Sequence, residues 1–198
     1  MKYDYLNNSL ADVWEKWVAF WNNENNRPII DLFFEIITQK SSGINYFLNL
    51  CQALESYSNK RRKCEVKLLF ESEKANGNVK VEVTTIPLQI RLKDLFQFNQ
   101  AVLSQYSDMS DDIADIRNYY THYGSKTKKK IERSHADIYS AALRHISCLH
   151  FLLLATLYKE IGLSEKEVTK ALSKPYLSPT ASTPERIFQG SNAERYPY

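Results

Sequence analysis

The chain is expected to fold as a mainly α-helical bundle, with a small β-hairpin inserted at about residues 64–86. Three observations lead there. Apolar residues recur three and four apart through most of the sequence, the spacing of one helix face. The 198 residues include only 5 Gly and 6 Pro, too few for a repetitive or low-complexity chain. One stretch, from Cys64 to Ile86, alternates instead of following the helical period.

The elements follow in order. Leu10, Val13, Trp14, Trp17, Val18 and Trp21 form a helical stripe, with Ser9 and Asp12 as an acidic capping box at its start. The polar run Asn22–Asn26 breaks it. Pro28 then suits a first helical turn, and Ile29 to Thr38 is apolar nearly all round, so a short buried helix is expected. After Ser41-Ser42-Gly43, Ile44, Phe47, Cys51, Leu54 and Tyr57 mark a strong helix that ends in Lys60-Arg61-Arg62-Lys63.

Val66, Leu68 and Phe70 alternate, as do Val79, Val81 and Val83, around the turn residues Asn76-Gly77-Asn78. That pattern gives the hairpin, although Val66, Leu69 and Phe70 fit a helix as well. Leu92, Leu95, Phe96, Asn99, Val102, Leu103 and Tyr106 form the next helical face. Ser110-Asp111-Asp112 opens another, carrying Ile113, Ile116 and Tyr120, and Gly124 with the lysine-rich Ser125–Lys130 closes it. Ser134 and Asp137 cap a long apolar helix to about Glu160, the central helix of the bundle, with Gly162 as its C-terminal stop. Ser164 and Glu167 cap one more short helix.

Residues 1–43 therefore read as a helical lead-in packed on the bundle, 44–173 as the bundle, and 174–198 as a Pro-rich tail. The formal charge of +3 is too mild to name a partner. No apolar run reaches the roughly 20 residues of a membrane span, and no signal peptide is visible. Cys51, Cys64 and Cys148 are an odd count without paired spacing, which points to a reducing compartment and a cytoplasmic protein.

The search for chemistry begins with exclusions. There is no Gly-rich phosphate loop, no Gly-x-Ser-x-Gly elbow and no His-Glu-x-x-His. Cys148 and His150 lie two apart on a helix and point to different sides, so they make no zinc half-site. No metal and no cofactor are expected. His145 and His150 read as hydrogen-bonded core or boundary residues, and His135 has no assigned role.

The segment Ile116-Arg117-Asn118-Tyr119-Tyr120-Thr121-His122-Tyr123-Gly124 differs. It joins a permanently charged guanidinium, a polar amide and an imidazole that titrates near neutral pH, followed directly by a basic loop. A basic loop after such a segment is where a polyanion would sit, and if that polyanion is RNA it carries its own nucleophile, the 2′-hydroxyl. Its cleavage needs a base, an acid for the leaving 5′-oxygen, and positive charge at phosphorus. His122, with an ordinary pKa of about 6.5, can move the proton. Arg117 can hold two phosphate oxygens. Asn118 can orient His122 or a phosphate oxygen. Tyr119 or Tyr120 can stack on a splayed base, and Lys126, Lys128, Lys129 and Lys130 can follow the backbone.

Plainer readings exist for each residue. Arg117 can pair with Asp111, Asp112 or Asp115, His122 can cap its helix, the tyrosines can pack, and the lysines can form a solvated loop. On a regular helix Arg117 and His122 lie about 140° apart, so one straight helix does not join them. Either the helix ends near Thr121 or a second subunit completes the site.

The Arg-x(4)-His spacing of Arg117 and His122, with Asn118 after the arginine, resembles the signature of HEPN domains. Phe47-Leu48-Asn49-Leu50-Cys51-Gln52-Ala53-Leu54-Glu55 and Ile90-Arg91-Leu92-Lys93-Asp94-Leu95 resemble matching segments of the ApeA-like HEPN group. The resemblance covers roughly Ile44 to Leu157. It implies a HEPN-type up-and-down helical bundle and a homodimer whose two motifs face each other. It also implies metal-independent endoribonuclease activity in anti-phage defence or a toxin system. Arg117, His122 and Asn118 would be catalytic, and Glu55 would support the motif arginine through a salt bridge. A non-catalytic helical module that binds RNA or a protein partner is the competing class. The larger N-terminal domain of full ApeA-like proteins has no counterpart here. A stand-alone relative or a C-terminal fragment is therefore expected, with a regulatory or sensor domain or protein as a possible partner.

Overall fold

A computed structural model describes residues 10–38, 43–80, 82–122 and 133–173. These residues form helices without a β-strand among them. The helices are α1 (Leu10–Asn22), α2 (Arg27–Thr38), α3 (Ile44–Arg61), α4 (Lys63–Ala75), α5 (Leu88–Phe98), α6 (Gln100–Leu103), α7 (Ser110–Thr121), α8 (His135–Glu160) and α9 (Glu165–Leu172). Short 3₁₀ turns lead into α2 and α7. The expected Ser9 cap, the Lys126–Lys130 loop and the 174–198 tail lie outside the described residues.

Helices α3 and α8 pack along each other at the centre, with α2 on the outer flank of α3 and α5 and α7 on another side. The burial pattern follows the helical period. On α3, Phe47, Leu50, Cys51, Leu54 and Tyr57 turn inward. On α8, Ile138, Ala141, Ala142, His145, Leu149 and Leu152 do so, and from Phe151 to Leu157 the helix is buried all round. Length and composition would let α8 cross a membrane, but most of its apolar window is buried inside the bundle. Phe20 of α1 and Ile29, Ile30 and Ile36 of α2 join the same core as α3 and α8. Phe34 of α2 remains exposed, so that helix is buried on one side rather than all round.

Of the three capping boxes expected from sequence, the two that lie within the described residues are formed. Ser134 with Asp137 starts α8, and Ser164 with Glu167 starts α9. Gly162 ends α8 at φ +85°, a left-handed conformation that other residues adopt at a cost.

Two expectations are corrected. The 64–86 segment is not a hairpin. Its first arm is α4, which buries Val66 and Phe70, four residues apart, and leaves Leu68 73% exposed. Those two side chains close a small satellite core with Val79 and Ile90. Asn76-Gly77-Asn78 does form a turn, with Gly77 at φ +74°, but it leads into irregular chain rather than a second strand. The helical face expected from Leu92 to Tyr106 is also broken, at Asn99. That side chain is fully buried and donates to Leu95 O at 2.9 Å and to Thr156 Oγ1 of α8 at 3.0 Å. The helix breaks where this buried amide donates both to Leu95 O on its own helix and to Thr156 on α8.

Polar ties lock the helices in place. Arg62, at the α3–α4 junction, grips Asp94 of α5 through two hydrogen bonds of 2.6 and 3.0 Å. Its guanidinium lies 4.2 Å from the centre of the Phe98 ring. Burial works against the charge of Arg62, but Asp94 outweighs it and the pKa stays raised. Tyr57 donates to Glu160 at 2.5 Å, and burial together with that carboxylate pushes its pKa up.

Candidate active site

Helix α7 begins with Asp111 and Asp112 in its first turn, where carboxylates favour the helix dipole. Ile113, Ala114, Ile116 and Tyr120 face the core. That phase leaves Arg117 and Thr121, four residues apart, together on the rim. On α3 the inward face leaves Asn45, Leu48, Asn49, Gln52 and Glu55 on the flank that meets α7. The site is thus set by two helices whose buried stripes fix which side chains look at each other.

The Arg117 guanidinium reaches across this seam. Its Nη2 donates to Glu55 Oε2 at 2.9 Å, and its Nη1 donates to Asn118 Oδ1 at 3.2 Å. Both members of the ion pair are about a quarter exposed, at 27% and 28%. The pair is therefore partly shielded yet reachable from solvent. Arg117 finds its carboxylate on α3 rather than among the aspartates of its own helix. Asp112 instead receives His145 Nε2 at 2.8 Å and Arg133 Nη1 at 2.6 Å. Burial pushes the Asp112 carboxyl up, but those two hydrogen bonds outweigh it and hold it below the usual range.

His122 stands at the C-terminal end of α7, where the backbone leaves the helix. Its N–H donates to Asn118 O at 3.0 Å, and its side chain is exposed. The side-chain hydrogen bonds of Arg117 go to Glu55 and Asn118 rather than to His122. Within one chain, then, Arg117, Asn118 and Glu55 are brought together, while His122 sits one turn beyond at the helix end.

Tyr119 and Tyr120 have perpendicular rings 5.1 Å apart, each 6.1 Å from the ring of His135 at the start of α8. Tyr120 is buried. This cluster joins the end of α7 to the start of α8. Lys126, Lys128, Lys129 and Lys130 lie outside the described residues.

An open cleft of about 470 Å³ borders Arg117, lined by Glu35 of α2, Asn45, Leu48, Asn49 and Gln52 of α3, and Arg117 and Thr121 of α7. His122 is not among the described residues that line it. The volume suits a small organic group. The sequence reading quoted Asn49 and Gln52 without a role and did not single out Glu35 or Asn45, because only the packing of α2 on α3 makes the cleft.

Arg91 of α5 is a second guanidinium near the site. Burial draws its pKa down, and the charge of Glu55 partly restores it. Its Nε is buried without a hydrogen-bond partner. The Ile90–Leu95 segment drew notice in the sequence, but nothing there told Arg91 from a surface cation. Among the described residues, no cluster of three His, Cys, Asp or Glu side chains could hold a metal ion.

The described residues thus form an α-helical bundle in which an Arg-Asn pair, braced by a glutamate from another helix, precedes a histidine at the end of α7. The ApeA-like HEPN family model matches residues 48–167, more than half of the chain, and the protein belongs to that family. Neither a curated protein nor a solved structure matches the chain significantly.

Proposed function

We propose that the protein is a metal-independent endoribonuclease acting in anti-phage defence or as a toxin, in the cytoplasm. The observation that carries this reading is the Arg117 guanidinium, held by Glu55 and Asn118 at the mouth of an open polar cleft. A fork fixed in this way can meet the scissile phosphate without first being ordered. The remaining N–H groups of Arg117 donate to non-bridging oxygens as negative charge builds on phosphorus.

In the reaction, His122 takes the proton of the 2′-hydroxyl and the 2′-oxygen bonds to phosphorus. The bond from phosphorus to the 5′-oxygen breaks, and that oxygen receives a proton from the protonated histidine of the second motif or from water. The products are a 2′,3′-cyclic phosphate and a 5′-hydroxyl. Because Arg117 and His122 are not joined within one chain, a homodimer that sets two motifs in one cleft is the assembly we favour. Glu55 is a positioning residue, and Asn118 orients the guanidinium. A regulatory or sensor domain or protein would control when the site is used.

The second reading is a non-catalytic helical module that binds RNA or a protein. The ion pair of Arg117 with Glu55 favours it, since a paired arginine also serves as a plain structural tie. Expression separates the two. A ribonuclease is toxic to its host and loses toxicity on His122→Ala; a binding module is tolerated, and the substitution changes nothing.

A further inference from the structure

The cleft beside Arg117 has a lining unlike that of a phosphate site. Of its seven described lining residues, one is a cation and one, Glu35, is a carboxylate. Asn45, Asn49 and Gln52 supply neutral amides at positions i, i+4 and i+7 of α3, so all three lie along one face, with Leu48 among them. Polyanion binding would call for several cations. Amides beside an apolar side chain fit a flat heterocycle, because each amide offers both donors and an acceptor to a base edge. Glu35 and Asn45 precede the 48–167 segment that the family model matches, and the other five lining residues fall within it.

On the ribonuclease reading, we infer that this cleft is a nucleobase subsite that selects a base carrying an exocyclic amino group. Arg117 holds the scissile phosphate at one end. The neighbouring base enters the cleft, lies against Leu48, and meets the amides of Asn49 and Gln52 with its edge. The Glu35 carboxylate, which when ionised can only accept, takes a hydrogen bond from the amino group of adenine, cytosine or guanine. Uracil presents the carbonyl O4 where cytosine carries its amino group, and a carboxylate opposes it. Uracil is therefore the rejected base.

Two measurements test this with wild type, Glu35→Gln and Asn49→Ala. The first maps cleavage sites on a random-sequence RNA by sequencing the cyclic-phosphate ends. The second measures binding of short oligonucleotides made uncleavable by 2′-deoxy substitution at one position, with each base there in turn. Glutamine keeps the size of Glu35 but can turn a donor towards O4. The expected result is that wild type disfavours uracil by about tenfold or more, the discrimination of one good side-chain contact to a base, and that Glu35→Gln largely removes the bias. Asn49→Ala should weaken discrimination among all four bases. Cleavage with the same site spectrum in all three proteins overturns the subsite and leaves the ribonuclease reading standing. Base-selective binding that Glu35→Gln abolishes, without cleavage by wild type, supports the subsite and overturns the ribonuclease reading. Neither cleavage nor base-selective binding overturns both. Thermal melts of the variants separate these outcomes from loss of fold.

Discussion

Replacing Glu55 with glutamine tests whether the α3 carboxylate orients Arg117. The change keeps the chain length and the accepting oxygen and removes the charge. The guanidinium stays charged and still donates to the glutamine oxygen, so only the ion-pair part is lost, about 0.2–1 kcal/mol for an exposed pair. With both side chains only about a quarter exposed, the upper part of that range applies. For a chain of this size a loss of 0.5–1 kcal/mol corresponds to a fall in Tm of about 1–4 °C. Catalysis should respond more steeply. A guanidinium that swings by about 1 Å can cost a factor of up to a hundred, and a fall in kcat/KM of about tenfold is expected here. The assay pairs single-turnover cleavage of a labelled RNA with a thermal melt of the same sample. Cleavage that falls only as far as the folded fraction falls, or does not fall at all, would refute the claim that Glu55 positions the arginine.

Other parts of the structure make separate predictions. Asp94→Asn should destabilise the fold by about 3 kcal/mol or more, since it breaks a largely buried pair and leaves Arg62 charged; a shift in the urea midpoint measures it. Asp112 has a depressed carboxyl pKa when folded, so its contribution is full above the unfolded value of about 3.9 and is lost as pH falls through the folded value. Denaturation midpoints taken from pH 6 down to 3 should therefore fall less steeply in Asp112→Asn than in wild type. Of the three cysteines, Cys64 is exposed while Cys51 and Cys148 are buried, with burial pushing the Cys148 thiol up to about 12. Brief alkylation of the native protein followed by mass spectrometry should label Cys64 alone, and rapid labelling of Cys148 would contradict the packing of α8.

What the sequence revealed was local. The Ser134 and Ser164 capping boxes each span four residues and need no distant partner, so both are visible as letters. The long apolar pattern of α8 likewise states its own burial. The 64–86 segment misled because Val66, Leu68 and Phe70 alternate while Val66 and Phe70 also share a helix face, and only the partner surface, Ile90 of α5, decides between the two. The break at Asn99 depends on Thr156, which lies 57 positions away. At the site, the positions of Arg117, Asn118 and His122 were readable as a motif, and Glu55 as part of a resembling segment. The cleft was not readable, because Glu35 and Asn49 become neighbours only when α2 docks on α3. Arg91 was hidden for a similar reason: its charge looks ordinary until burial strips its Nε of partners.

The most direct test of the central claim is incubation of purified protein with total cellular RNA in excess chelator, with wild type beside Arg117→Ala and His122→Ala. The account predicts cutting by wild type alone, with 2′,3′-cyclic phosphate and 5′-hydroxyl ends. Equal cutting by wild type and both folded variants, or none by any of them, would contradict it.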